Sequence, residues 1–207
     1  TGVGYQALKT LNAGADSYNT AFGYQAGAAI TTGIQNTLLG GLAGDVLTDA
    51  DYNIAIGLSA LGGDTKGNKS VAIGANALAV QNFTSSTDTH NTAVGYKAGN
   101  AVTTGVRNTI IGSLAGDALT TSADNVAVGT QSLSAETTGL YSVAVGQGAL
   151  ASQNNSGDAQ IHNVAVGYQA GVAITTGIQN TLVGSKAGDA LTDADFNIAL
   201  GMSALGT

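Results

Sequence analysis

Twelve times along this chain a glycine closes a short apolar phrase, and the spacing of those glycines limits the possible folds more than any other feature. They are Gly4, Gly23, Gly40, Gly57, Gly74, Gly95, Gly112, Gly129, Gly146, Gly167, Gly184 and Gly201, at successive intervals of 19, 17, 17, 17, 21, 17, 17, 17, 21, 17 and 17. In each complete phrase a small polar residue precedes the apolar segment, and Ala or Ser follows the glycine by three places. A short fixed period is the signature of a stacked solenoid, because each repeat can bury its apolar side only against its neighbours. The same repetition argues against an enzyme built around one unique active site.

The intervals contain a larger unit. Three short coils and one long coil, in the pattern 17/17/17/21, form a super-repeat that carries Gly23 to Gly95 and Gly95 to Gly167. Residues 19–35 return as 91–107 and 163–179, and the long coil 70–90 returns as 142–162. The chain therefore reads as one repeat segment, 1–207, of about twelve coils, with super-repeats 19–90, 91–162 and a partial 163–207.

Within each phrase the chemistry favours strand. In Ser70-Val71-Ala72-Ile73-Gly74 alternate side chains point to opposite faces, so Val71 and Ile73 share one and Ala72 the other. β-branched residues dominate, and the segments are too short for independent helices. Both faces are apolar or small, which predicts burial on both sides. At about 4.8 Å per coil, twelve coils make a rod roughly 55–60 Å long.

Turn residues agree. Asn opens nine of the eleven complete phrases (Asn19, Asn36, Asn53, Asn91, Asn108, Asn125, Asn163, Asn180, Asn197), and Ser70 and Ser142 open the others. Asn tolerates a left-handed backbone and hydrogen-bonds locally, so a stack of them predicts a side-chain ladder. The phrase glycines supply the other corner.

Composition removes several classes of function. The chain has 31 Gly but no Pro, Cys or Trp, and its 43% hydrophobic content is mostly small aliphatic residues. Collagen is excluded by the spacing and the lack of proline. A net charge of −7 without a basic stripe argues against nucleic acid. There is no apolar run long enough to cross a membrane as a helix. Without cysteine there is neither a disulfide nor a thiolate metal site. The chain starts and stops inside a repeat, which reads as a segment of a longer polypeptide.

Few constellations suggest chemistry. His90 and His162 are equivalent positions in successive super-repeats and lack a nucleophile and an orienting partner. They read as turn residues; the alternative is a ring of symmetry-related copies holding an ion. Asp45, Asp49 and Asp51, with Asp189, Asp193 and Asp195, are dense enough for Ca²⁺. The middle copy has Thr121 and Ala123 in place of the second and third of these, so solvated turn carboxylates are the favoured reading and no cofactor is expected. Glycine runs such as Gly40-Gly41-Leu42-Ala43-Gly44 lack the Lys-Ser/Thr ending of a phosphate loop. The sequons at Asn68, Asn82 and Asn154 read as accidental.

Recognition is the better question. The long coils bulge at 81–90 and 153–162, polar stretches that differ from one another more than their surroundings do. Candidate receptor contacts are Phe83, Thr84, His90, Asn154, Asn155 and His162, together with Tyr24, Tyr96 and Tyr168, whose rings could stack on sugars.

The phrases Ser70–Gly74 and Ser142–Gly146, with Ala three places on, resemble the head repeats of YadA-like trimeric autotransporter adhesins. The variant Asn-Thr-Ala-Val-Gly-Tyr, with Thr-Thr-Gly at 31–33, 103–105 and 175–177, is similar to repeats of bacteriophage tail fibres. Both the short and the long coil exceed the length that the adhesin family typically uses. The resemblance implies an all-β, left-handed parallel β-roll assembled as a homotrimeric extracellular rod. It implies attachment to a host-cell glycan or protein, on a virion tail fibre or a bacterial surface. The phage reading is preferred to the autotransporter head. A self-assembling filament is a further reading. So is ice binding, although Ile54, Val71, Val126, Val143, Val164 and Ile198 interrupt the row of Thr20, Thr37, Thr92, Thr109 and Thr181.

Overall fold

The computed structural model describes residues 1–14, 16–157 and 159–206. Among them lie fourteen short strands. Twelve carry the phrases: β1 (Gly2–Val3), β2 (Thr20–Phe22), β3 (Thr37–Leu39), β4 (Ile54–Ile56), β6 (Val71–Ile73), β8 (Thr92–Val94), β9 (Thr109–Ile111), β10 (Val126–Val128), β11 (Val143–Val145), β12 (Val164–Val166), β13 (Thr181–Val183) and β14 (Ile198–Leu200). They form one parallel sheet in chain order, so the molecule is a β-solenoid of about twelve turns. The two others, β5 (Gly67–Asn68) and β7 (Thr87–Asp88), pair in parallel where the first long coil needs to be held.

Register is set by the repeat. Thr20 lies opposite Thr37, Ala21 opposite Leu38 and Phe22 opposite Leu39, and the same in-phase pairing runs to Leu200. Stacking equal coils in phase places chemically equivalent residues in columns along the axis. The central residue of each strand points inward and is buried: Ala21, Leu38, Ala55, Ala72, Ala93, Ile110, Ala127, Ala144, Ala165, Leu182 and Ala199.

Most of these are alanine, so larger side chains from the turns complete the core. Four places after the phrase glycine the chain is left-handed, and either Gly or Leu occupies that position. Where it is Gly (Gly27, Gly44, Gly99, Gly116, Gly171, Gly188), the residue three further on is Ile, Leu or Val. Where it is Leu61, Leu78, Leu133 or Leu150, the inward apolar group comes from that leucine instead. Leu38 fits between two such glycines: a Cβ on Gly27 would meet its Cδ1 at 2.7 Å, and one on Gly44 its Cδ2 at 2.9 Å.

The asparagine ladder forms as the sequence predicts. Asn36 N–H donates to Asn19 Oδ1 at 2.8 Å and Asn53 N–H to Asn36 Oδ1 at 2.9 Å. From Asn19 to Asn180 each amide nitrogen also donates to a carbonyl on the far side of the same coil, as Asn36 does to Ala50 at 2.7 Å. Over that span, Asn19 to Asn180, these side chains are buried, so each satisfies backbone groups that water cannot reach. The phrase glycines are also columnar. Gly112 has φ +137°, and a Cβ there would lie 2.6 Å from the carbonyl of Gly129 one coil on.

Candidate functional site

The outward face of the main sheet is the most distinctive surface. Each strand presents its first and third residues there. The first column runs Thr20, Thr37, Ile54, Val71, Thr92, Thr109, Val126, Val143, Val164, Thr181 and Ile198, every member β-branched. The third runs from Val3 and Phe22 to Leu200, and every member is apolar. None of the chain's six basic and thirteen acidic residues falls anywhere between the Asn or Ser that opens a phrase and the residue after its glycine. Charges begin immediately outside, with Lys69, Arg107 and Asp124 before the phrase and Lys97 and Lys186 behind it.

Burial on both faces was expected, and within one chain only the inner face is buried. The outer one remains open, with Phe22 60% exposed and Ile111 39%. A sheet with one face in water normally puts polar residues on it. Here the open side is apolar or Thr over twelve strands, a strip on the order of 53 Å by strand spacing. Depletion of charge is the compositional mark of interface cores.

The tyrosines stand beside this strip. Tyr24, Tyr96 and Tyr168 follow their phrase glycines and are about half exposed. Tyr5 stacks on Tyr24 with centroids 5.5 Å apart, and Lys97 Nζ sits 5.5 Å from the Tyr96 ring centre. The three are displayed one super-repeat apart.

The histidines occupy a different column, the left-handed residue just before each phrase. Both are exposed, and the fold does not bring them together. His162 stacks on Tyr141 at 5.1 Å with the planes 6° apart. Around His90 lie two ion pairs: Lys69 with Asp88, and Arg107 Nε with Asp124 Oδ1 at 2.6 Å. Hydrogen bonding from Lys69 holds the Asp88 carboxyl below its ordinary range, and Arg107 does the same for Asp124.

Two expected contact residues are not on the surface. Phe83 is 8% exposed and Asn155 7%, because the bulges fold back onto the coil before them. Phe83 N–H donates to Asp64 Oδ1 at 3.0 Å, and Asn155 N–H to Glu136 Oε2 at 3.3 Å. Thr84 and Asn154 remain exposed.

The acidic sets cap turns. Asp51 Oδ1 accepts the Ile34 N–H at 2.8 Å, and Asp195 Oδ1 that of Ile178 at 2.7 Å. Among the described residues no three His, Cys, Asp or Glu side chains come together as a metal site. Asp45 and Asp117 are half-buried, and desolvation raises both carboxyls above their ordinary range.

Sequence reasoning passed over two features. Eight places after the phrase glycine stands a column of Thr31, Thr48, Thr65, Thr103, Thr120, Thr137, Thr175 and Thr192, with Asn82 and Asn154 at the long coils. Thr48 Oγ1 donates to the Thr65 carbonyl at 3.0 Å and Thr120 Oγ1 to that of Thr137 at 2.9 Å, so this column too forms part of the stack. The second feature is a pair of buried carboxylates, Asp64 and Glu136, both fully shielded from solvent. Their recurrence at the super-repeat interval was the signal available in the sequence.

Comparison with family models, with curated proteins and with solved structures finds no match to this chain. Its class rests on the fold: an all-β repeat protein, a parallel β-solenoid.

Proposed function

We propose that this chain is a structural segment of an extracellular homotrimeric fibre that supports attachment to a host or surface, of the kind found in phage tail fibres. The supporting observation is the uncharged outward face that runs the length of the stack. A partner covering it must repeat every coil, and a second copy of the same chain, parallel and in phase, meets that requirement. Cyclic symmetry about an axis along the rod sets each coil against its own counterpart, so local variation in size (Phe22 and Leu39 against Val128 and Val145) is matched at every level. A strip about 53 Å long and about 10 Å wide offers on the order of 500 Å² in projection. That is of the same order as the ~800 Å² per partner of a standard interface.

On this reading the rod is a spacer, and its recognition elements are the features that lie off the strip. Those are the exposed ends of the bulges, at Thr84 and Asn154, and the tyrosines at the strip's margin. The head of a bacterial trimeric autotransporter is the second reading, supported by the same phrase and the same face. Sedimentation equilibrium tests the assembly directly. A species near three times 20.2 kDa is expected, and a monodisperse monomer at micromolar concentration overturns the proposal.

A further inference from the structure

The column seven places after the phrase glycine belongs to the core, and it is not uniformly apolar. It reads Leu11, Ile30, Leu47, then Asp64 and Gln81, then Val102, Leu119, then Glu136 and Gln153, then Ile174, Leu191. The four polar members are fully buried, in two adjacent pairs. They fall only in coils whose leucine, three places earlier, already fills the interior.

Each pair is fully engaged. Asp64 Oδ1 accepts the backbone N–H groups of Gly67 and Phe83, both at 3.0 Å, and its Oδ2 accepts Gln81 Nε2. Glu136 Oε1 accepts Gly139 N–H at 2.8 Å and Thr137 N–H at 3.0 Å, while Oε2 accepts Gln153 Nε2 at 3.1 Å. Each glutamine therefore needs the coil before it, and each carboxylate needs the coil after it.

We infer that these pairs are register locks, which during folding hold each long coil directly after the carboxylate coil that precedes it, among coils that are otherwise interchangeable. The strand pairing and the asparagine ladder cannot do this, because almost any coil presents the same partners to its neighbour. The chain can err by extruding one coil and docking the next in its place, and closing a loop of that length is only modestly costly in entropy. With the 70–90 coil extruded, Asp64 would face Val102 and lose the Gln81 and Phe83 donors. A buried carboxylate that loses part of its donors is disfavoured, and single buried polar groups fix register in other repetitive assemblies. The code rejects any slip that separates a carboxylate coil from its glutamine coil; it does not sense the loss of an apolar coil, of a whole pair, or of a full four-coil unit.

The chain has no cysteine, so one introduced pair reports the order directly. Thr65 Oγ1 touches Asn82 Oδ1 at 3.1 Å across the locked junction, and Thr65→Cys with Asn82→Cys should oxidise there after refolding from denaturant. In that background, Asp64→Leu, Gln81→Leu, Glu136→Leu and Gln153→Leu together should keep the β-sheet circular dichroism. They should lower the refolded yield of the disulfide at least twofold and produce several species by ion-mobility mass spectrometry. The milder variant Asp64→Asn with Glu136→Gln keeps the shapes, removes the charges and should give an intermediate yield. A single species with undiminished disulfide in both variants overturns the inference. If the apolar variant fails to fold, an undiminished yield in the amide variant alone does the same.

Discussion

Gln81 joins Ser70 to Asn91. Its Nε2 donates to Ser70 Oγ at 2.9 Å, and its Oε1 accepts Asn91 Nδ2 at 2.9 Å. Gln153 does the same between Ser142 and Asn163, at 3.0 and 2.9 Å. Serine is too short to hold the next coil, and the glutamine from the far side of the long coil supplies the missing amide. Replacing Gln81 with Met keeps most of its volume and leaves Asn91, Ser70 and Asp64 each short of a partner. A loss of about 2–4 kcal/mol in urea unfolding is expected from those unsatisfied groups. A loss below about 0.5 kcal/mol, the low end for one hydrogen bond, would show that the bridge contributes nothing.

The glycine column gives a second prediction. Gly112→Ala introduces a Cβ 2.6 Å from the Gly129 carbonyl at a φ of +137°, and neither backbone can move without breaking the ladder. The variant should lose more than about 3 kcal/mol or fail to fold. Gly14 also has positive φ but meets nothing within 4 Å, so Gly14→Ala should cost only about 1 kcal/mol. Comparable losses at the two sites would contradict the close approach of neighbouring coils.

Charge placed on the outward face should separate assembly from folding. Val128 and Val145 are neighbours in β10 and β11, half-buried and pointing away from the core. Val128→Lys with Val145→Lys should leave the circular dichroism of the single chain unchanged. In the sedimentation experiment it should shift the mass from the trimer towards the monomer. Trimers surviving intact would place the interface elsewhere on the rod.

Acid dependence follows from carboxylates with opposite shifts. Asp117 has a folded pKa above its unfolded value of about 3.9, so its charged form is disfavoured in the fold. Stability therefore falls as pH rises from the unfolded value through the raised folded one, and the deficit persists at neutral pH. Asp117→Asn should raise the thermal midpoint at pH 7 and leave it unchanged near pH 3. An equal change at both values would point to hydrogen bonding rather than charge.

Asp124 runs the other way: its contribution is present above the ordinary carboxylate range and disappears as pH falls through the lowered folded pKa. Arg107→Gln should cost roughly 0.2–1 kcal/mol at pH 7, the range of surface pairs, and less at high salt. No cost at pH 7 and low salt would show the pair to be energetically neutral.

Much of this fold could be read from the chain because its period is local. A glycine closing each period, an Asn or Ser four positions before it, and alternating small and β-branched residues specify strand, turn and stacking within one coil. Repetition then extends that answer along the rod. The asparagine ladder was visible for the same reason, since equal coils in phase bring equal side chains together.

What the tertiary structure alone decided were the consequences of direction and reach. The alternating phrase shows that Val71 and Ile73 share a face, but only the closed coil turns Ala72 inward and leaves the other two outside. Bulges written in polar residues look like surface, yet Phe83 and Asn155 turn in because Asp64 and Glu136 offer acceptors to their backbone. Those acceptors lie a full coil back along the chain and one coil away in space. The sequence by itself determined the repeat, the strands and the ladder, since these depend on neighbours within one period. The placement of the buried carboxylates, and of the one long face left without charge, depends on how the coil closes, which no local spacing encodes.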